Sequence, residues 1–226
     1  MDFVVIAPVG GFGNHVRWLL LLDRQFQFTV RKVPWPTVNF FGNLEQYPWT
    51  IIADINDKIE FIRNHVYANF RTWHNWLIVE WFYRTRLDSV IEFRHGPLDN
   101  LHKQSHFDHK KVLVLQIDPE FASRSYFKFN PNFNNTPRDV FQDEIRRYNF
   151  EATHIPAHKN LLRLRTESLY NPELDKDFYL RVIDFFELEN NYAIANEMHQ
   201  LWYQGHLRAE KQFVEDVVKF YHREIQ

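Results

Sequence analysis

The sequence predicts an α/β protein in three layers, with a mostly parallel central sheet between helices. Two observations predict it. Short apolar runs bounded by turn residues recur at Phe3–Ile6, Ser89–Phe93, Val112–Ile117 and Leu161–Leu164, and segments with helical spacing alternate with them. Alternation of this kind builds βαβ units around a parallel sheet. The run Val112–Ile117, VLVLQI, is apolar nearly throughout, as suits a strand covered on both faces. The 226 residues fit one domain spanning 1–226, long enough to bury a large core. With 22 Phe that core is expected to be Phe-rich.

The elements follow in order. Phe3–Ile6 is the first strand. Gly10, Gly11 and Gly13 make a turn, and Val16–Leu22 has helical character. The chain has six glycines, and three of them fall in this turn. A strand, a glycine turn and a helix N-terminus make an anion site, because N–H groups point outward where the helix dipole is positive. The turn is therefore a candidate seat for a nucleotide phosphate. The same glycines also suit any tight strand-to-helix connection. The Lys-Ser/Thr of a P-loop is missing, and so is the third glycine of G-x-G-x-x-G.

Phe26–Val30 reads as a short strand. Lys32–Trp49, broken by Pro34, Pro36 and Pro48, reads as an irregular segment packed on the body. Ile59–Asn64 reads as a short helix. Thr72–Arg86 reads as a stronger one, with Trp73, Trp76, Leu77 and Trp81 on a buried face. Ser89–Phe93 and Val112–Ile117 are strands. Asp118-Pro119 starts a turn into a helix, Glu120–Phe129, and Pro is favourable at a first helical position. Asn130–Pro137 is a loop, Arg138–Tyr148 a helix, His154–Lys159 a loop and Leu161–Leu164 a strand. Asp175–Phe186 is an amphipathic helix, and Asn191–Tyr221 is largely helical. Ligands of parallel sheets sit beyond the carboxyl ends of the strands. Gly10–Asn14, His95 and Asp118–Ser125 all fall at or near such ends, and one crevice is expected to gather them.

Composition narrows the function. A net charge of −2 argues against a nucleic-acid protein working through a basic surface. The absence of cysteine removes disulfides, thiolate chemistry and Cys-built zinc sites. The amino terminus lacks a basic leader, and the longest apolar run, Trp18–Leu22, is far too short to span a bilayer. A cytoplasmic chain without membrane partners is expected. His102, His106 and His109 lie in a polar linker, and no metal site is expected there.

From His95 onward the chain resembles the sulfotransferases that use 3′-phosphoadenosine 5′-phosphosulfate. Leu113–Tyr126, LVLQIDPEFASRSY, is similar to the family's strand-turn-helix segment, with Pro119, Ser125 and Tyr126 matching. Glu92–Leu101, EFRHGPLDNL, resembles the segment that carries the family's general base. Leu161–Leu188 looks like its strand, Glu-x-Leu and helix, matching at Glu167, Leu169, Pro172, Phe185, Phe186 and Leu188. APVGGFGN stands in the place of the P-loop-like 5′-phosphosulfate loop. The resemblance implies a P-loop nucleotide-hydrolase-like fold and transfer of a sulfuryl group to a hydroxyl of a small molecule or glycan. It implies His95 as the base and Ser125 at the donor's 3′-phosphate. The loop's cation is replaced by Val9 and the 3′-phosphate arginine by Ile117. Arg17, Arg94, Arg124 and Arg208 are the candidate replacement charges.

Sulfuryl transfer needs a base for the acceptor proton and donors for the charge that develops on the leaving phosphate. His95 has the right ordinary pKa for the first task. The turn residues Gly10, Gly11, Gly13 and Asn14 are candidates for the second, their N–H groups lining the phosphate, with His15 or Arg17 adding a donor or charge. Two alternatives stand beside this. G-G-F-G-N also resembles the glycine loop of fucosyltransferases that use GDP-fucose, whose second motif would have to be His206-Leu207-Arg208. The third reading is a non-catalytic relative, favoured by Val9 and Ile117.

Overall fold

The computed structural model describes residues 2–34, 48–63, 75–83, 91–95, 98, 101, 107–123 and 137–205. In chain order the elements are β1 (Asp2–Ala7), α1 (Gly13–Leu20), β2 (Phe26–Pro34), β3 (Thr50–Ile52), α2 (Ile55–Phe61), β4 (Asn75–Tyr83), β5 (Ile91–His95), β6 (Lys110–Gln116), α3 (Arg138–His154), β7 (Leu161–Arg165) and α4 (Lys176–Phe186). A further helix, α5, occupies residues 192–205.

Four strands form an all-parallel sheet in the order β5-β1-β6-β7. Phe3–Ala7 and Lys111–Leu115 are buried, because both central strands are covered on both faces. Alternate residues serve different cores. Phe3, Val5, Ala7, Leu113 and Leu115 pack with α1, α4, α5 and the residues Phe26, Phe28 and Val30 of β2. Val4, Ile6, Val112 and Val114 pack on the opposite side with Tyr148, Ala152 and Ile155, from α3 and the residue after it. The parallel sheet thus lies between helices, as the alternation of runs anticipates.

The chain leaves β1 for β5 on one side, crosses back to β6 on the other, and continues outward to β7. The outgoing connections of the neighbours β1 and β6 therefore run in opposite directions. That makes their carboxyl ends the topological switch point, where open α/β sheets hold ligands.

A second, antiparallel sheet, ordered β3-β2-β4, lies outside the single-sheet expectation. It also corrects the helix expected over Thr72–Arg86. Residues 75–83 are a strand, paired with β2 from Phe26↔Tyr83 to Pro34↔Asn75. Aromatic and β-branched residues dominate WLIVEWFY and favour the pleated form, and nine consecutive cross-strand pairs settle what local spacing left ambiguous. The helical face drawn from Trp76 and Trp81 disappears with the helix, while Trp73 lies outside the described residues. β2 also runs on through Pro34, into the segment expected to be irregular. Pro34 is the last residue of the strand.

Boundaries shift elsewhere. The helix expected at Ile59–Asn64 begins at Ile55, because the Asp54 side chain accepts from the Asn56 amide at 2.8 Å. α3 continues past Tyr148 to His154. Among the described residues no helix is long and apolar enough to cross a membrane.

Candidate functional site

β1 delivers the chain into the turn 8–12 at the switch point. Gly10 and Gly11 in this turn, and Gly13 at the start of α1, each have their own structural reason. Gly10 takes φ +78, and a Cβ there would stand 2.6 Å from the Ala122 carbonyl oxygen. The turn is thereby pressed against the short helical segment 119–123 that follows β6. Gly11 donates its N–H to the Pro8 carbonyl at 2.9 Å, closing the turn on itself. That amide is already satisfied within the chain and is not presented to a phosphate. At Gly13 a Cβ would overlap the Phe93 ring and stand 2.7 Å from Ala7 Cβ. This glycine lets α1 lie directly on β1 and β5.

Phe12, the residue before α1, adopts φ 59 and ψ 15 and makes no side-chain cap. A bulky side chain in the left-handed region is a genuine outlier, held only where its surroundings impose it. Here Trp202 packs edge-on at 5.2 Å and Tyr170 stacks at 6.5 Å. The first helical bond runs from the Val16 amide to the Phe12 carbonyl. The amides of Gly13, Asn14 and His15 precede it, and Asn14 is exposed.

His15 points inward. It is 3% exposed, stacks on Trp202 at 4.0 Å and 12°, and shares a 2.9 Å hydrogen bond with His199. Its imidazole is taken up by the core rather than aimed at a ligand. Arg17 is half-buried, and desolvation lowers its pKa to about 10.

His95 is the last residue of β5 and lies in register with Ala7. It therefore stands one strand spacing, about 5 Å, from the residue that leads into the glycine turn. The backbone brings the end of β5, the turn after β1 and the segment after β6 to one edge of the sheet. Ile117, in the place of the family's arginine, is fully buried in the core. Val9 is exposed. Ser125, Arg124 and Arg208 lie outside the described residues, as does the His206-Leu207-Arg208 motif; Arg94 is exposed and bonded to Glu92.

Two residues that shape this edge carried no expected role there. Glu167 accepts the Asp118 amide at 2.6 Å and also binds Arg165, holding that guanidinium above its ordinary pKa. Asn149 of α3 brackets the end of β6, donating to the Ile117 carbonyl at 2.7 Å and accepting the Ile117 amide at 3.4 Å. Glu167 was visible as part of a motif; Asn149 sits mid-helix with no local signal. The Asp118 carboxylate accepts the Glu120 and Phe121 amides at 2.9 and 3.3 Å, capping the 119–123 segment behind Pro119.

No known protein family, no curated protein and no solved structure matches the chain.

Proposed function

We propose that the chain is a sulfotransferase-like transferase. It would pass a sulfuryl group from 3′-phosphoadenosine 5′-phosphosulfate to a hydroxyl of a small molecule or glycan. The observation that carries the reading is the register of His95 with Ala7, at the mouth of the glycine turn and beside the switch point.

In this reading His95 takes the acceptor's proton as the oxygen attacks. The amides of Gly13 and Asn14, ahead of the first helical bond and at the positive end of the α1 dipole, meet the donor's 5′-phosphate. Gly10 shapes the turn. Gly11 and His15 drop out as direct donors, the first bonded to Pro8 and the second to His199. Ser125 is assigned to the 3′-phosphate by resemblance. When bound, the donor supplies the sulfuryl group and leaves as adenosine 3′,5′-bisphosphate.

A second reading keeps the fold without the donor site. It is favoured by the closed Gly11 amide, by Ile117 in the core and by Glu167 on the Asp118 amide. Thermal unfolding with adenosine 3′,5′-bisphosphate, with GDP and without ligand separates the readings, since a ligand that binds only the native state raises Tm by mass action. The proposal expects a rise with the bisphosphate alone. A rise with GDP alone points to a GDP-sugar transferase, and no rise with either points to the non-catalytic reading.

A further inference from the structure

The buried pair His15–His199 has no part in the transfer proposed above. His15 is 3% and His199 0% exposed. His199 Nε2 lies 2.8 Å from the Asn171 carbonyl oxygen, and His199 Nδ1 lies 2.9 Å from His15 Nε2. A carbonyl only accepts, so His199 Nε2 carries a proton. In the neutral ring Nδ1 is then bare, and the His15 Nε2–H donates to it. The result is a directed chain from α1 to α5 to the loop after β7. Trp202 of α5 covers both rings, at 4.0 Å from His15 and 5.4 Å from His199.

We propose that His15 and His199 form an acid-sensitive latch that docks α5 onto α1. A proton added at His199 Nδ1 would face the His15 N–H with a second donor. It would also bring a charge into a buried site where the two imidazoles pack against Trp202. The pair keeps one proton in its shared bond only if His15 moves its own to Nδ1, and the net charge stays buried either way. Opening releases both rings to water, where they protonate at their ordinary values.

The charged groups on the three elements are Arg17 on α1, Glu167, Glu173 and Asp175 on the loop, with Glu167 paired with Arg165, and Glu197 on α5, which is paired with Arg63. What acts on His199 is burial first, lowering its pKa, and then the Asn171 carbonyl, which opposes it. Acid therefore favours the open form.

Hydrogen–deuterium exchange tests the latch on the whole chain. Protection of residues 192–205, normalised to intrinsic rates, is compared at about pH 7.5 and about pH 5.5, spanning the ordinary histidine value. The expected result is a loss of up to about tenfold for each imidazole that stays neutral in the closed form, with protection in β1 and β6 retained. His199→Gln keeps a donor and an acceptor but cannot take a proton, and should flatten the loss. Unchanged protection in the wild type, a loss spread evenly over the sheet, or an undiminished loss in His199→Gln would overturn the proposal. The wild type also decides by itself through NMR of its imidazole Cε1–H signals: two rings titrating well below the rest support the latch, and all twelve titrating near the ordinary value sink it.

Discussion

Gly13 is where the link from one residue to the site is shortest. Its missing Cβ is what lets α1 rest against Phe93 and Ala7. Gly13→Ala gains at most about 1 kcal/mol of helix propensity, the figure for a helix interior, since Gly13 is the first helical residue, but it forces an overlap in a packed core, which costs about 1–3 kcal/mol. Because two neighbours are hit at once, the expected net effect is a loss of about 1–2 kcal/mol, read as a lower urea midpoint. A neutral or stabilised variant would show that the contact relaxes freely. For His95 the expectation follows from the proposed transfer: under that proposal His95→Ala reduces sulfuryl transfer at least about 100-fold, the usual worth of a general base, and leaves any Tm rise with adenosine 3′,5′-bisphosphate in place. Wild-type turnover in that variant removes His95 from the chemistry. What was legible at this scale was the turn itself, since glycines clustered directly after an apolar run mark a tight connection. What each glycine faces was not legible. Phe93 and Ala122, which define the spaces at Gly13 and Gly10, are remote in sequence, and a hydrogen bond such as Gly11 to Pro8 depends on the turn geometry.

Elements divide by how far away their partners lie. β1 and β6 were legible because apolar runs buried on both faces carry their own signature. α4 was legible from its apolar spacing; the structure adds the Asp175 cap, whose carboxylate accepts the Asp177 and Phe178 amides at 2.9 and 3.1 Å. β4 was not, because Trp76, Leu77 and Trp81 satisfy a helical spacing as well as a strand, and only β2 distinguishes the two. The same dependence on a remote partner makes Asn149 informative. It spends both ends of its amide on the backbone of Ile117, tying α3 to the last turn of chain before Asp118. Asn149→Ala leaves a buried amide and carbonyl without these partners, which costs about 1–3 kcal/mol. The measurement is urea unfolding of wild type and variant; an unchanged midpoint would show that water replaces the side chain without loss.

For the molecule as a whole, the parallel sheet between helices was anticipated from the alternation of strands and helices, while the antiparallel sheet β3-β2-β4 was not, since its pairings skip over intervening chain. Contacts with α1 and with the loop after β7 bury His199, and this sets how stability should depend on pH. Burial holds the folded pKa of His199 below its ordinary value of 6.5. As pH falls, the unfolded chain binds the proton first, so the stabilising contribution is full above about 6.5 and is lost from there down toward the folded pKa. Each unit of separation between the two values is worth about 1.4 kcal/mol. Glu187 acts lower down. Its hydrogen bond from Lys111 depresses its pKa, so its contribution is present above the ordinary carboxylate value and lost as pH falls through the folded one. With 81% of its side chain exposed, water screens that contribution, and it is small. Urea midpoints taken from about pH 7.5 to about pH 5 should therefore decline in the wild type before any carboxylate titrates. The decline should be shallower in His199→Gln. Equal slopes in the two proteins would assign the acid sensitivity to other groups and leave the buried imidazole without a part in it.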